Sequence, residues 1–371
     1  MVMRLFTPGH GDPLDTLIVN GIVLSMVEEY PNLKIDVLKQ ASRFVIKIYG
    51  ETSIDEGRII ENAKSAIIED CKLGSIGKIG IASTPQPATP PERTIKKIDR
   101  AFSCIKSSFL KEYSDEAHLI KNNEGRGRKG KNLFKAHIQI APFAGSYSRL
   151  PYVTVGTASG ASFKVGGDYV ICPICLIFSW AGLVKSASII TYSSKERKES
   201  KKKKKSSLFL LPSPIKATQD DIAFLSLIFG EKAEIIGSKQ EIPALGGILY
   251  SIVSGETIGS LSPKSLLEII YWVYVKEGNF IGVRDFGSVP FLNLYKFVLE
   301  SKRRSPYLVK IINAIADQEP ELLELLVESL LFPGYNAYNI IRSLWAFLEK
   351  SGRAPLDPGI VDALVNLIER V

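Results

Sequence analysis

Apolar positions in the opening part of the chain follow two different periods. In PLDTLIVNGIVLSMVEEY (13–30) they fall at 14, 17, 18, 22, 24 and 27, close to helical spacing. LKIDVLK (33–39) and RFVIKIYG (43–50) then predict two strands, the second alternating Phe44, Ile46 and Ile48 toward one side. SIDEGRIIENAKSAIIEDC (53–71) predicts a helix capped by Ser53, with Glu56 three residues on as its capping-box partner. IGKIGIAS (76–83) predicts a short strand, TPQPATPPE (84–92) a proline-rich loop, and RTIKKIDRAFSCIKSSFLKEY (93–113) another amphipathic helix.

Beyond residue 131 the texture turns strand-like. LFKAHIQIAPFAG, YVTVGTAS, SFKVGGDYVICPICLIFSW and ASIITYS are rich in Val, Ile, Tyr and Phe. The longest apolar stretch, YVICPICLIFSWAGLV (169–184), has sixteen residues and holds Pro173. A bilayer span needs about 20, so a buried strand with its continuation is predicted and no membrane contact. SKERKESKKKKKSS (194–207) is bracketed by SIITYS and LFLLPSP, which predicts a long hairpin with a basic tip.

From Thr218 onward seven segments read as amphipathic helices: QDDIAFLSLIFGEK, SPKSLLEIIYWVYVKEG, VPFLNLYKFVLESKR, SPYLVKIINAIADQ, EPELLELLVESLL, YNAYNIIRSLWAFLEKS and DPGIVDALVNLIERV. Several begin with Ser-Pro, Glu-Pro or Asp-Pro, an N-cap followed by a proline at N1. The fold class expected is therefore α+β. A mixed domain with antiparallel strands (1–217) precedes an all-α helical bundle domain (218–371), and 371 residues accommodate two domains.

Charge sharpens this division. Residues 218–371 carry 14 basic and 19 acidic residues, and 1–217 carry 33 and 20, so a net of +13 faces a net of −5. A polyanion-binding surface belongs to the first part. Two segments concentrate the charge. KNNEGRGRKGK (121–131) joins Lys121, Arg126, Arg128, Lys129 and Lys131 to three glycines. Glycines let a backbone approach closely, and arginine forks grip phosphate or a guanine edge at two points. The second segment holds Lys195, Arg197, Lys198, Lys201, Lys202, Lys203, Lys204 and Lys205. Lysine is a point charge, which suits salt-sensitive and unselective phosphate attraction. These residues are the nucleic-acid contacts expected from the sequence; a solvated tip is the plainer reading of the lysine run. SKRRS (301–305) ends a predicted helix, where cations complement the helix dipole.

No catalytic constellation is visible. His10, His118 and His137 lie in separate segments without a close carboxylate partner. Asp220 and Asp221 head a predicted helix, where carboxylates are favoured. No Walker A sequence and no dinucleotide fingerprint occurs. CPIC (172–175) is half of a zinc knuckle, but Cys71 and Cys104 stand singly, so no metal and no other cofactor is expected. Four cysteines in a chain of this length, with no export signal evident, point to reduced thiols and the cytoplasm. Three histidines, three methionines and six glutamines suit a thermophile.

In TPGHGDP (7–13) the glycines permit a sharp turn. Asp12 reads as the N-cap and Pro13 as N1 of the first helix. A helix N-terminus there could face an RNA phosphate, in which case His10→Ala would weaken RNA binding and leave stability intact.

The opening FTPGHGDP running into LIVNGI, a basic glycine-bearing loop, a strand-rich middle and an acidic helical C-terminal part make a combination. In this the chain resembles the archaeal large subunit of the type I-A CRISPR effector complex, the Apern subtype of the Cas eight family. The resemblance implies a non-enzymatic role in antiviral defence. Such subunits sit in a Cascade-like particle beside the backbone, handle-binding and small subunits. The particle holds the 5′ handle of a guide RNA, and these subunits at its end inspect the protospacer-adjacent motif in target double-stranded DNA, start strand separation, and help recruit the helicase and nuclease. Some relatives carry a four-cysteine zinc site, of which only Cys172 and Cys175 have a counterpart here. Two other classes are compatible with the residues: a structural scaffold making mainly protein contacts, and a metal-dependent nucleic-acid hydrolase built from distant carboxylates.

Overall fold

The structure is a computed structural model that describes residues 2–41, 43–50, 53–82, 91–105, 108–114, 134–135, 170–194, 204–230, 233–236, 241–254, 265–277, 280–304, 308–332 and 337–351. In chain order the first elements are β1 (Val2–Phe6), α1 (Leu14–Glu29), β2 (Lys34–Gln40), β3 (Arg43–Tyr49), α2 (Glu56–Lys72), α3 (Lys78–Ala82), α4 (Pro91–Ser103), α5 (Phe109–Ser114), β4 (Phe134–Lys135), β5 (Val170–Ile171) and α6 (Pro173–Ser186). There follow β6 (Ser188–Ser194), β7 (Lys204–Thr218), α7 (Gln219–Phe229), β8 (Ala233–Ile236), α8 (Ala244–Ser254), β9 (Leu266–Glu277), β10 (Phe280–Pro290), α9 (Phe291–Arg304), α10 (Leu308–Gln318), α11 (Pro320–Leu331) and α12 (Ala337–Ser351). Mixed α and β structure is as expected. Among the described residues, no helix is long and apolar enough to cross a membrane.

One eight-stranded sheet organises these elements, in the order β1-β3-β2-β7-β6-β8, with β9 also on β7 and β10 on β9. Its described pairings are antiparallel except that of β6 with β8. The expected hairpin is present: Ser188–Ser194 pairs with Leu210–Lys204. β7 is the spine. Along one edge it pairs with β9 from Lys204 to Lys216. Along the other it pairs first with β6 and then, at Lys216–Thr218, with β2. Pro212 and Pro214 lie between those two partners, where a strand without N–H groups breaks no ladder on that edge. Asn20 of the buried helix α1 fills the gap, donating to the Pro212 carbonyl at 2.8 Å and to Ser186 Oγ at 3.0 Å.

α1 is buried from Leu14 to Met26. Its apolar residues cover the helix all round, as a helix in a core interior requires. It crosses α6 at Gly21 and Gly182. A Cβ on Gly21 would lie 2.0 Å from the Phe178 carbonyl oxygen, and one on Gly182 would lie 1.9 Å from that of Leu17. Backbone touches backbone at this crossing.

Several sequence expectations change. The stretch 169–184 is not a buried strand: after two residues of β5 it becomes α6, with Cys172 as N-cap and Pro173 at N1. Residues 76–83 are not a strand either. Asp70 accepts from the N–H groups of Lys78 and Ile79, both at 2.8 Å, and so caps the short helix α3. Lys78 Nζ then donates to the carbonyls of Val184 (2.6 Å) and Gly230, at the C-terminal ends of α6 and α7. The α2 cap is Asp55, accepting from Gly57 and Arg58, rather than Ser53. Glu56 instead accepts from Ser108 Oγ and the Leu110 N–H, joining α2 to α5. The predicted helix over 93–113 divides into α4 and α5.

Of the seven helices expected after residue 218, five are α7, α9, α10, α11 and α12. SPKSLLEIIYWVYVKEG is instead β9, and β8 and β10 also lie in this part, so 218–371 is not all-α. Ile269, Ile270, Trp272, Val273, Tyr274 and Val275 are β-branched or aromatic and pack well on a pleated surface. Trp272 sits directly opposite Phe209 of β7, the rings stacked with centroids 4.9 Å apart. DPGIVDALVNLIERV lies outside the described residues. Thr218 is at once the last residue of β7 and the capping-box N-cap of α7.

Candidate nucleic-acid interface

Because side chains alternate along a strand, β1, β3, β2 and the end of β7 present two faces. Leu5, Ile35, Val37, Phe44, Ile46 and Ile48 point into the core. The opposite face is set by register, and its side chains line up in rows across the strands. One row is Arg4, Lys47, Asp36 and Thr218. The next, two residues along, is Phe6, Val45, Leu38 and Lys216. Flanking rows pair Tyr49 with Val2 and Lys34, and Arg43 with Gln40.

Arg4, Lys34 and Lys216 are exposed, while Arg43 and Lys47 are half-buried. Among the described residues, five cations thus share this face with one carboxylate, Asp36, which accepts from Tyr49 Oη at 2.8 Å. That hydrogen bond is the main reason the Tyr49 phenol is shifted up. The Arg43 guanidinium stands over the Phe6 ring, 5.0 Å from its centroid. Arg4 directly opposite Lys47 is a like-charge pair, which costs free energy in a free sheet. A phosphate set between them would remove that cost. Same-face rows recur about every 6.8 Å along a strand. Cations in rows with aromatic rings among them suit a single strand, its phosphates on the cations and its bases on the rings.

At the inward edge of this sheet lies TPGHGDP. Gly9 and Gly11 have φ of +80° and +86°, the left-handed region that glycine enters without penalty. This turns both N–H groups onto Asp15, at 3.2 Å from Gly9 and 2.8 Å from Gly11. Asp12 is not the N-cap. Pro13 occupies that position after a cis Asp12–Pro13 bond, and Asp12 instead accepts from Thr16 Oγ1 at 2.6 Å and pairs with Lys39 at 2.7 Å. Lys39 also reaches Glu268 of β9 at 2.5 Å. Asp15 takes the Gly9 and Gly11 N–H groups, so they are not offered to an RNA phosphate. His10 is 5% exposed, so His10→Ala would disturb packing rather than leave stability intact.

Burial pushes the Asp15 carboxyl up to about 8, against the lowering effect of the Gly11 N–H. The folded chain therefore keeps a proton that the unfolded chain, with an ordinary value of 3.8, has released. The stability from that proton is fully present below 3.8 and is lost as pH rises through about 8. Melting temperature should accordingly fall as pH rises from about 4 to about 8 and level off above that. Asp15→Asn should melt lower but with a flatter profile; an equally steep profile in the variant would remove Asp15 from this role.

The contacts expected from the sequence are placed in part. Lys121, Arg126, Arg128, Lys129, Lys131, Lys195, Arg197, Lys198, Lys201, Lys202 and Lys203 lie outside the described residues. Lys204 and Lys205 begin β7, opposite Ser194 and Ser193 of β6 and Glu277 and Lys276 of β9. They are about 40 Å along the strand from Lys216 at the usual rise per residue. The basic sheet face was not anticipated. Its signal was present in RFVIKIYG, where Arg43, Lys47 and Tyr49 alternate with the apolar residues. Cys172 and Cys175 share the first turn of α6. Among the described residues, no group of three or more His, Cys, Asp and Glu is placed to hold a metal ion.

Comparison with known proteins agrees over nearly the whole length. Residues 3–371 match the model of a family described as CRISPR-associated protein (Cas_Csa4). The chain is also similar to a curated protein of Thermoproteus tenax described as CRISPR system associated protein Cas8, 23% identical over 394 residues that cover 98% of each chain.

Proposed function

The chain belongs to the Cas_Csa4 family of CRISPR-associated proteins, and from that premise we propose that it is the non-catalytic large subunit of a type I-A, Cascade-like surveillance complex acting in antiviral defence. The observation that carries the reading is the face of β1, β3, β2 and β7, with Arg4, Lys34, Arg43, Lys47 and Lys216 beside Phe6 and Tyr49. On this reading the face lies along the single-stranded guide RNA. Guide pairing supplies most of the sequence specificity in such particles, so the protein needs backbone contacts and a short-motif reader. The glycine-bearing segment with Arg126, Arg128, Lys129 and Lys131 suits the reader of the protospacer-adjacent motif in duplex DNA. The lysine tract up to Lys205 adds unselective attraction for target DNA.

The less basic part after residue 218 suits docking to other subunits and to the helicase and nuclease, its excess of acids limiting stray DNA contact. The carboxylates described in detail have structural partners: Asp12 and Asp15 at the α1 entrance, Asp70 of α2 at the start of α3, and Asp221 in the α7 capping box. That division of labour supports binding rather than hydrolysis as the role. Location in the cytoplasm of a thermophilic archaeon follows from the same reading. Affinity purification of the tagged chain from its host tests it. A short guide RNA and other CRISPR subunits are expected to co-purify in fixed proportion. A nucleic-acid-free assembly would favour the scaffold reading instead.

A further inference from the structure

Cys-Pro-Ile-Cys at the start of α6 has a geometry that its packing role does not require. Cys172 is the N-cap, with extended backbone, and its sulfur accepts from the Cys175 N–H at 3.3 Å. Cys175 occupies the third position of the helix and is buried, whereas Cys172 is half-buried. The two sulfurs lie 3.2 Å apart. Residues three apart on a helical turn have Cα atoms about 5 Å apart, within the span that a disulfide bridges. A sulfur at a helix N-terminus faces the positive end of the dipole, which favours the thiolate there. Cys175 lies beneath it, with Tyr113 Oη 3.3 Å from its sulfur. Burial holds the Cys175 thiol well above its ordinary range, which leaves Cys172 as the attacking sulfur.

We propose that Cys172 and Cys175 form a dithiol that a small-molecule disulfide oxidises reversibly to an intramolecular disulfide. In the first step the Cys172 thiolate attacks one sulfur of the small disulfide, RSSR. A Cys172–SR bond forms, the S–S bond of RSSR breaks, and RS⁻ leaves and takes a proton. In the second step the Cys175 sulfur attacks Cys172, the mixed disulfide breaks, and the second RS⁻ leaves with the proton from Cys175. The protein dithiol has lost two electrons and RSSR has become two thiols.

The product state would be read by the surrounding elements. Closing the bond draws the Cys172 sulfur from its capping position and the Cys175 sulfur from Tyr113. Tyr113 and Phe109 of α5 both pack against Phe178 of α6, with centroids 6.4 Å and 5.1 Å away. The docking of α5 on α6 is therefore coupled to the redox state. A pure packing role would need no second sulfur within bonding reach of the first.

Incubating the full-length protein with glutathione disulfide, followed by acid quench, alkylation and peptide mapping, tests this. The expected result is loss of two of the four free thiols, with the peptide holding both Cys172 and Cys175 lighter by two hydrogens. Cys175→Ser should instead accumulate one glutathione adduct, on Cys172. Cys172→Ser keeps a side chain that caps helices well and should gain none on the buried Cys175. Four free thiols after oxidation, loss mapped to Cys71 or Cys104, or equal adducts on both single variants would each overturn the proposal.

Discussion

Gly182→Val is expected to abolish soluble, folded protein at the growth temperature of an ordinary expression host. The crossing of α1 and α6 leaves no space for a side chain. A Cβ at 182 would stand 1.9 Å from the Leu17 oxygen, 2.7 Å from its carbonyl carbon and 3.1 Å from the Gly21 nitrogen. All three are backbone atoms, so no rotamer change relieves the clash, and the helices must separate. Separation would also pull Asn20 away from Pro212 and Ser186, and open the packing of a helix that is buried almost end to end. Overpacking of an adaptable core costs about 1–3 kcal/mol. Here the obstacle is rigid and central, so a cost above about 3 kcal/mol is expected, a large share of the ~5–15 kcal/mol that holds a domain together. Gly182→Ala adds the same Cβ and should already lower the urea midpoint sharply. Gly57→Ala, whose added Cβ would meet only the Asp55 side chain at 3.2 Å on an exposed turn, should change the midpoint little. A valine variant with an unchanged midpoint would mean that the helices cross elsewhere.

Replacing Arg4, Arg43, Lys47 and Lys216 together with alanine is expected to lower affinity for single-stranded RNA by about 100-fold near 0.1 M salt, because each cation lost is a phosphate contact and a released counterion lost. The fold should survive. Arg4, Lys47 and Lys216 make none of the ion pairs described above, and Arg43 covers one face of Phe6. Removing the opposed Arg4 and Lys47 relieves a like-charge pair, so melting temperature should hold or rise slightly. Loss of binding without loss of stability separates a binding surface from a merely soluble one. Fluorescence anisotropy and a thermal melt of the same preparations give both readings.

Legibility in the sequence tracked how locally each feature is determined. β2 and β3 show their buried side through Ile35, Val37, Phe44, Ile46 and Ile48, although Leu38 and the buried Val45 interrupt the alternation on the other side. The sequence of α6 suggests a strand because CPICLIFSWAGLV is apolar on all sides and so carries no 3.6-residue pattern. Pro173 was the available signal, standing at N1 behind a capping cysteine. The sequence of β9 suggests a helix because Ser262-Pro263 imitates a helix start. The run of Ile, Trp, Val and Tyr that followed was the better guide. Asp12 and Asp15 compete for the same loop, and only the turns at Gly9 and Gly11 show that the second wins. The basic face was half-visible in β3 alone. Arg4 and Lys216 join it through strand pairings far apart in sequence, and such register cannot be read along a single strand. Net charge pointed to the first 217 residues, which is where that basic face lies.

The most direct measurement is the salt dependence of RNA binding by the purified full-length chain and by the fourfold alanine variant. If the sheet face carries the strand, the logarithm of affinity should fall steeply with the logarithm of salt for the unmodified chain. The variant's slope should then be shallower by about 3, near 0.7 for each cation removed. Equal slopes for the two proteins would place the phosphate contacts elsewhere on the chain and contradict the central claim.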